Sequence, residues 1–448
     1  MRESWRTRFG FVLAAAGSAI GLGNIWKFPY VTGENGGGLF VLIYLASVVL
    51  VGVPIMLAEI LIGRGGRSSP VGAFRNLSTP SSPWQVVGWL GVAVGFVILS
   101  YYSVVAGWAL HYTMLAVFGQ LGGSPTEVAA IFDDVYASPW INLGWHLAFM
   151  AMVLAVVLGG VRRGLERTAR WLMPAMLVLL MIMAVRSIFL DGFGPALEFV
   201  FGAHADDLTR AGVLEAVGHA FFTLSVGMGA LLTYGSYLRK DEDIVSSSFA
   251  IAGLDTLIAL LACMVLFPIT FSYGMAPEQG PGLVFKNMPV ALAQLPGGAV
   301  LAVLFFVLLV FAALTSAMSL LEVAASHFID RHGWQRRRAV TITAIATAVM
   351  GIPSALSGGT EIFGADTEAL TGFNWFDTLD YLASNWLLPL GGLGMAVFVA
   401  WRVGDPVRHQ ELVSGSRFGY LYRSWLVLLR YLVPVVVVAV FLHAIGVL

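Results

Sequence analysis

Long apolar stretches separated by short polar ones fill this chain. A helix needs about 20 apolar residues to cross a bilayer, and stretches of that order recur throughout. They predict spanning helices at 9–32, 38–62, 85–118, 140–160, 165–189, 212–238, 244–272, 299–328, 338–353, 376–401 and 424–446. The pattern is that of an all-α polytopic membrane protein with eleven transmembrane helices, no soluble domain and no low-complexity linker.

Two of these segments are irregular. The first carries Gly17-Ser-Ala-Ile-Gly-Leu-Gly-Asn-Ile-Trp-Lys-Phe-Pro29. Glycine weakens a helix and proline cannot continue one from within, so a break is predicted there. At membrane depth freed backbone groups must find partners, because no water reaches them. A break is tolerated where it lines a cavity, and we read this one as a binding site built largely of backbone. The second interruption, Phe221-Phe-Thr-Leu-Ser-Val-Gly-Met-Gly229, lies within 212–238. It opens a second set of five segments, as the first break opens the first five. Five is odd, so the two sets insert with opposite topology. Paired interrupted helices in two inverted halves point to a secondary transporter with its site at the midplane. Residues 1–448 then form one transporter domain, with inverted repeats at 9–189 and 212–403 and an added helix at 424–446.

Composition supports the membrane reading. Of 448 residues, 58% are hydrophobic and 11% charged, against about 25% charge in a soluble domain. The net charge of −1 carries no footprint for nucleic acid. Cys263 is the one cysteine, which excludes an internal disulfide and a cysteine metal cluster; it reads as a small core residue. Arg2, Arg6 and Arg8 before an apolar run ending in Ala-Ala-Ala mimic a signal peptide. The run continues past that point, however, and cleavage would destroy the first interrupted segment. Lys and Arg placement sets orientation. With the N-terminus inside, 21 of the 25 basic residues fall on the cytoplasmic side, leaving Lys27, Arg186, Arg210 and Lys286. The C-terminus then lies outside, in the plasma (inner) membrane.

Charge within a span is costly and mostly functional. At depth the list is short: Lys27, Glu59, Asp255, Glu322 and Asp380, with His219 as a further titratable group. Thr315 and Ser316, taken alone, would bond their own preceding carbonyls. Opposite a helix break they become hydroxyl ligands for a hard cation such as sodium, which suits oxygen donors. The tandem aromatics Tyr101-Tyr102 and Phe221-Phe222 read either as core or as the wall of a pocket for an apolar side chain.

These residues resemble the neurotransmitter:sodium symporter family, of LeuT-type fold. The likeness covers essentially the whole chain. It is carried by Gly17-Ser-Ala-Ile-Gly-Leu-Gly-Asn-Ile-Trp-Lys-Phe-Pro-Tyr30, Glu34-Asn-Gly-Gly-Gly38, Phe221-Phe-Thr-Leu-Ser225, Tyr234-Gly-Ser-Tyr-Leu-Arg-Lys240 and Leu314-Thr-Ser316. The resemblance implies sodium-coupled amino-acid uptake by alternating access. It implies one sodium site from the Ala19 carbonyl, Asn24, Thr223, Asp255 and the substrate carboxylate. A second would use carbonyls of Gly17, Ile20 and Ala312 with hydroxyls of Thr315 and Ser316. The implied substrate pocket takes Ser18, Ala19, Gly21, Leu22 and Gly23 from the break. From elsewhere it takes Ile98, Tyr102, Phe222, Thr223, Ser225, Met228, Ser316 and Leu320. Helix dipoles agree: the negative end of the inner half-helix suits a cation, and the positive end at Leu22-Gly23 suits a carboxylate.

Departures from the family pattern refine the expectation. Monoamine carriers place an aspartate at the position of Gly21, so here the substrate brings its own carboxylate. The apolar lining favours a neutral, hydrophobic or aromatic amino acid, and Met228, where phenylalanine is common, lends tolerance of shape. Chloride-dependent relatives have Asn and Ser at the positions of Asp255 and Ala259, and His219 replaces a glutamine of the chloride site. Chloride-independent transport is expected, with Asp255 as the fixed charge. The resemblance further implies an outer Lys27–Asp380 gate above Tyr102 and Phe222. It implies an inner Arg2–Asp330 gate with Trp5 and Tyr237 beside it, and Glu59 satisfying amides at the second break. Gly164 and Pro174 make the cytoplasmic end of segment 165–189 easy to unwind, releasing the sodium at Thr315–Ser316 inward. The alternative is a proton-coupled or exchange-type carrier on the same five-plus-five architecture. No nucleophile–base pair suggests an enzyme.

Overall fold

The computed structural model describes residues 3–202, 208–275, 281–413 and 415–447. Among them the chain is helical, with no strand. The N-terminal helix α1 (Arg8–Ala19) is capped by the Thr7 hydroxyl, which accepts the Gly10 N–H at 3.0 Å. It ends where Ile20 turns extended, and α2 (Gly23–Glu34) restarts with a bend of 56° between the two. The long helices that follow are α3 (Gly38–Gly66), α4 (Gln85–Val117), α5 (Pro139–Leu158) and α6 (Val161–Ser187). A second broken pair comes next, α7 (Arg210–Thr223) and α8 (Ala230–Gly235). The rest are α9 (Ile244–Ser272), α10 (Gly298–His332), α11 (Arg336–Leu356), α12 (Ala365–Arg402) and α13 (Gly419–Ala444). Short helices lie between them, among them Pro125–Ala137, whose Ser124 and Glu127 cap each other. The Ser124 N–H and hydroxyl hold the Glu127 carboxyl below its ordinary range.

The apolar segments and the helices coincide closely, and 244–272 coincides throughout. Among the described residues nine helices are long and apolar enough to cross a membrane, and α1 with α2 makes a bent tenth. The expected segment 212–238 is the pair α7/α8, and its 14- and 6-residue parts are each too short to span alone. Its middle is unwound because Ser225, Gly227 and Gly229 adopt left-handed φ values of 52°, 92° and 76°. Segment 165–189 begins earlier than its hydropathy suggests, and its N-terminal end is wound as a wide π-type turn, Val161–Glu166. Turns of that kind cluster at functional places.

The long helices α4 and α10 pack along each other and with α5 and α11 form a scaffold. Helices α1 and α8 pack against α10, and α7 and α8 pack on α3, while α9 packs on α1, α3 and α6. Small residues permit the closest approaches: a Cβ on Gly63 would lie 1.9 Å from the Leu232 carbonyl oxygen, and one on Gly235 2.8 Å from that of Ile60. Arg64, placed with the cytoplasmic loop charges by sequence, is instead fully buried. Its guanidinium donates to the Glu411 carboxylate at 2.6 Å and to the carbonyls of Glu242 and Glu411. The two breaks therefore sit between this scaffold and a smaller bundle tied through Arg64 to the helix Asp405–Val413.

Candidate functional site

The ends of α1 and α2 leave backbone groups that α1 cannot satisfy itself. The carbonyls of Gly17 and Ile20 both accept from the Ser316 hydroxyl of α10, each at 3.2 Å. The neighbouring Thr315 hydroxyl donates to the carbonyls of Phe311 and Ala312, at 3.0 Å to each. Gly17, Ile20, Ala312, Thr315 and Ser316 thus form one oxygen-rich locus between α1 and α10. Gly17 is what lets the helices meet, since a Cβ there would lie 3.0 Å from both Thr315 Cβ and Met173 Sδ.

A second buried locus lies on the other side of the break. Asn24 Nδ2 donates to Thr223 Oγ1 at 2.8 Å and to Asp255 Oδ1 at 2.7 Å. Its Oδ1 accepts the Gly21 N–H at 3.0 Å, folding the side chain back over the break. The Thr223 hydroxyl lies 3.0 Å from Asp255 Oδ2, and the Tyr44 hydroxyl reaches that oxygen at 3.4 Å. One fully buried carboxylate is therefore ringed by neutral donors with no cation among them. An unpaired buried charge is expensive, which makes the locus ready for one. Tyr44 is a member that sequence reading passed over, because a single tyrosine in an apolar segment looks like core. No cluster of His, Cys, Asp and Glu suited to a transition metal exists among the described residues; the donors are hard oxygens.

Between these loci runs the pocket lining. The Leu22 N–H, at the positive end of α2, donates to the Tyr102 hydroxyl at 3.2 Å. The Ser225 hydroxyl donates to the Ser18 carbonyl at 2.9 Å, joining the two breaks to each other. Ser18 also meets Ser319 at 2.7 Å, another residue the sequence reading missed. Gly21 and Gly23 have no room for side chains: a Cβ on Gly21 would lie 2.8 Å from Ser316 Oγ, and one on Gly23 2.8 Å from the Phe222 ring. Ala19, Ile98, Met228 and Leu320 are buried. Met228 and Leu320 face α4, whose Gly91 and Gly95 allow their backbones close. Glu59 accepts the N–H groups of Gly227 and Leu232 at 3.1 and 3.4 Å, at the unwound middle of α7/α8.

The flanking charges depart from the expected pairing. Lys27 makes no ion pair with Asp380. Its ammonium lies 4.4 Å from the centroid of the Phe222 ring. Asp380 accepts instead from the Tyr101 hydroxyl at 2.8 Å and the Ser384 hydroxyl at 3.3 Å. The physical reason is competition: the Tyr101 hydroxyl of α4 and the Ser384 hydroxyl one turn along its own helix satisfy the carboxylate, and the lysine, lacking a guanidinium fork, gains an aromatic face. Beside them opens a cavity of about 320 Å³ lined by Lys27, Glu215, His219, Phe222 and Ser384 among others. On the opposite side Arg2 lies outside the described residues, and Asp330 accepts the Ser69 N–H at 2.6 Å. The Trp5 indole donates to the Tyr234 carbonyl at 2.9 Å and packs edge-on against Tyr237. Glu322, for which the sequence offered no role, accepts the Tyr237 hydroxyl at 2.6 Å and pairs with Arg336. Gly164 packs within the Val161–Glu166 turn, where a Cβ would lie 2.1 Å from the Val156 carbonyl oxygen, and Pro174 sits inside α6.

A broken-helix site between scaffold and bundle is the geometry of one transporter architecture, and sequence comparison decides the family. The family model described as "Sodium:neurotransmitter symporter family" matches residues 2–128 and 127–448. The chain belongs to this family. The symporter is 37% identical over 446 residues to YhdH of Bacillus subtilis (strain 168), described as an uncharacterised sodium-dependent transporter. The match covers 99% of this chain and 98% of that one. It is 30% identical over 452 residues to another such transporter, of Haemophilus influenzae, covering 98% of each. Among solved structures, MhsT in complex with L-phenylalanine matches with a TM-score of 0.90 at 43% identity, covering 99% of this chain and all of that one (100%). The protein is a sodium-coupled transporter of LeuT-type fold, integral to a membrane, and not an enzyme.

Proposed function

We propose that this protein takes up neutral, hydrophobic or aromatic L-amino acids with sodium, by alternating access and without chloride. The observation that carries the reading is the pair of oxygen loci flanking the α1/α2 break. Asn24, Thr223 and Asp255, with the Ala19 carbonyl, would hold one sodium. Gly17, Ile20 and Ala312 carbonyls with Thr315 and Ser316 hydroxyls would hold the other. In the paired state each cation takes the place of an interior hydrogen bond, so Ser316 turns from donor to ligand. The Leu22 amide and Tyr102 hydroxyl, now bonded to each other, would then receive the substrate carboxylate. Gly21 leaves room and supplies no charge. The buried apolar residues Ile98, Met228 and Leu320 with Phe222 suit a large apolar side chain, and the similarity to a protein crystallised with L-phenylalanine supports that class.

Asp255 argues against a chloride requirement, because it places the compensating charge on the protein, and Ala259 offers no anion donor. The topology that fits is eleven spans, counting α7/α8 as one, with the N-terminus cytoplasmic in the inner membrane. Repeats at 9–189 and 212–403 supply the two breaks. Lys27 and Asp380 would close over the substrate, and Trp5, Tyr237 and Asp330 with Arg2 would close below it. Unwinding between Gly164 and Pro174 would open the Thr315–Ser316 side to the cytoplasm. Counterflow of labelled phenylalanine in proteoliposomes tests this. Exchange should require sodium, persist when gluconate replaces chloride, and be competed by leucine but not by lysine or aspartate. Exchange indifferent to sodium and driven by a pH gradient would instead establish a proton-coupled carrier.

A further inference from the structure

The arm that precedes α1 is fastened to the start of α6. The Glu166 carboxylate, 2% exposed, accepts the Arg6 N–H at 2.8 Å and the Thr7 hydroxyl at 3.4 Å. Arg170, one turn on, donates to this carboxylate at 2.6 Å and to the Thr7 hydroxyl at 2.5 Å. That hydroxyl also accepts the Gly10 N–H that begins α1. It therefore donates once and accepts twice, which is its full capacity. Upstream, Glu3 accepts the Val161 N–H at 2.6 Å, and Arg162 donates to the Ser4 carbonyl and hydroxyl at 2.9 and 3.0 Å. Gly10 is demanded by the clasp, since a Cβ there would lie 2.2 Å from Glu166 Oε1.

The anchor is the wide turn Val161–Glu166, entered through Gly160 at a φ of 76°. The arm's middle holds a different element: Trp5 is bonded to α8 through the Tyr234 carbonyl. Five residues thus tie α8, the first turn of α1 and the first turn of α6 together. If the turn opened alone, the buried Glu166 would lose the geometry that serves its donors. If the arm left alone, the carboxylate would keep only Arg170. Either partial opening leaves the buried carboxylate short of hydrogen-bond donors, which is costly, so neither is favourable.

We propose that Glu166 is a positioning residue that couples the N-terminal arm to the Val161–Glu166 turn, so that arm and turn open as one unit. Met173, seven residues on along α6, touches Gly17 beside the Thr315–Ser316 locus. Opening this unit would therefore expose that locus from the cytoplasmic side. The sodium response of the unit rests on the sodium assignment proposed above; the coupling itself does not.

Hydrogen-exchange mass spectrometry on the full reconstituted protein tests it, with peptides covering 3–12 and 159–168. In the wild type both peptides should slow with added sodium and share one half-effect concentration. Glu166→Gln should speed exchange of the arm by about tenfold and separate its sodium response from that of the turn. Gly10→Ala, which displaces the carboxylate, should do the same. Thr7→Val should match Glu166→Gln, and Thr7→Ser, which keeps the hydroxyl, should match the wild type. The coupling is overturned if the wild-type peptides respond at different sodium concentrations, or if Glu166→Gln and Thr7→Val leave the arm's exchange unchanged. Peptides that open together with no sodium response would uphold the coupling and sink the sodium assignment instead.

Discussion

Replacing Asp255 by asparagine separates charge from shape at the centre of the proposed site. The side chain is fully buried, and its two oxygens receive Asn24 Nδ2 at 2.7 Å, the Thr223 hydroxyl at 3.0 Å and the Tyr44 hydroxyl at 3.4 Å. Asparagine offers one acceptor oxygen in the same volume, so at least one donor loses its partner, a cost of roughly 1–3 kcal/mol. That cost is present with or without sodium and belongs to stability. The charge acts differently. Unit charges about 4 Å apart in an effective dielectric of about 20 attract by about 4 kcal/mol, and that attraction exists only with the cation bound. The larger effect therefore falls on sodium affinity, by about a thousandfold. The assay is labelled-substrate binding against sodium at constant ionic strength, with choline gluconate as the replacement salt and no chloride. Thermal unfolding without sodium measures the hydrogen-bond loss by itself. A shift in half-saturating sodium below about tenfold, or wild-type activity of Asp255→Asn without chloride, would refute the reasoning.

Three further outcomes are expected. Ser316→Ala removes the hydroxyl that reaches the Gly17 and Ile20 carbonyls and should weaken sodium-dependent binding about tenfold, with near-normal melting, read by the same titration. Gly21→Ala puts a methyl 2.8 Å from Ser316 Oγ and 3.0 Å from Tyr102 Oη; phenylalanine affinity should fall more than sodium affinity, and equal losses in both would count against a carboxylate seat at this place. Arg64→Met strands Glu411 in the interior and should cost roughly 3–5 kcal/mol of stability, measured by thermal unfolding in detergent, with part of the loss recovered by adding Glu411→Gln.

Much of the fold was readable as apolar length. Segment 244–272 is α9 residue for residue, because a lipid-spanning helix must satisfy its own backbone and carry apolar side chains wherever it goes. The breaks were readable too, since glycine and proline act locally. Side-chain partners were not. Lys27 and Asp380 have opposite charges and suggest a pair, yet Tyr101 and Phe222 outcompete that pairing. Arg64 counts as a loop charge in any hydropathy profile, and only the meeting of α3 with the 405–413 helix buries it. Glu322 found its role in Tyr237, in the turn after α8, and in Arg336, at the start of α11.

By itself the sequence determined that this is a helical membrane protein, where its two spans are interrupted, and which family it resembles. Those properties follow from short-range chemistry: hydrophobic length, glycine and proline in the backbone, and motifs of a few residues. Tertiary structure alone decided what each freed backbone group meets. It set the Ser316 hydroxyl against Gly17 and Ile20, Asn24 against Asp255, and Glu166 against the arm before α1. Such contacts join residues far apart in the chain, and hydrogen bonds select partners by a few tenths of an ångström. Only the packed helices fix distances that finely.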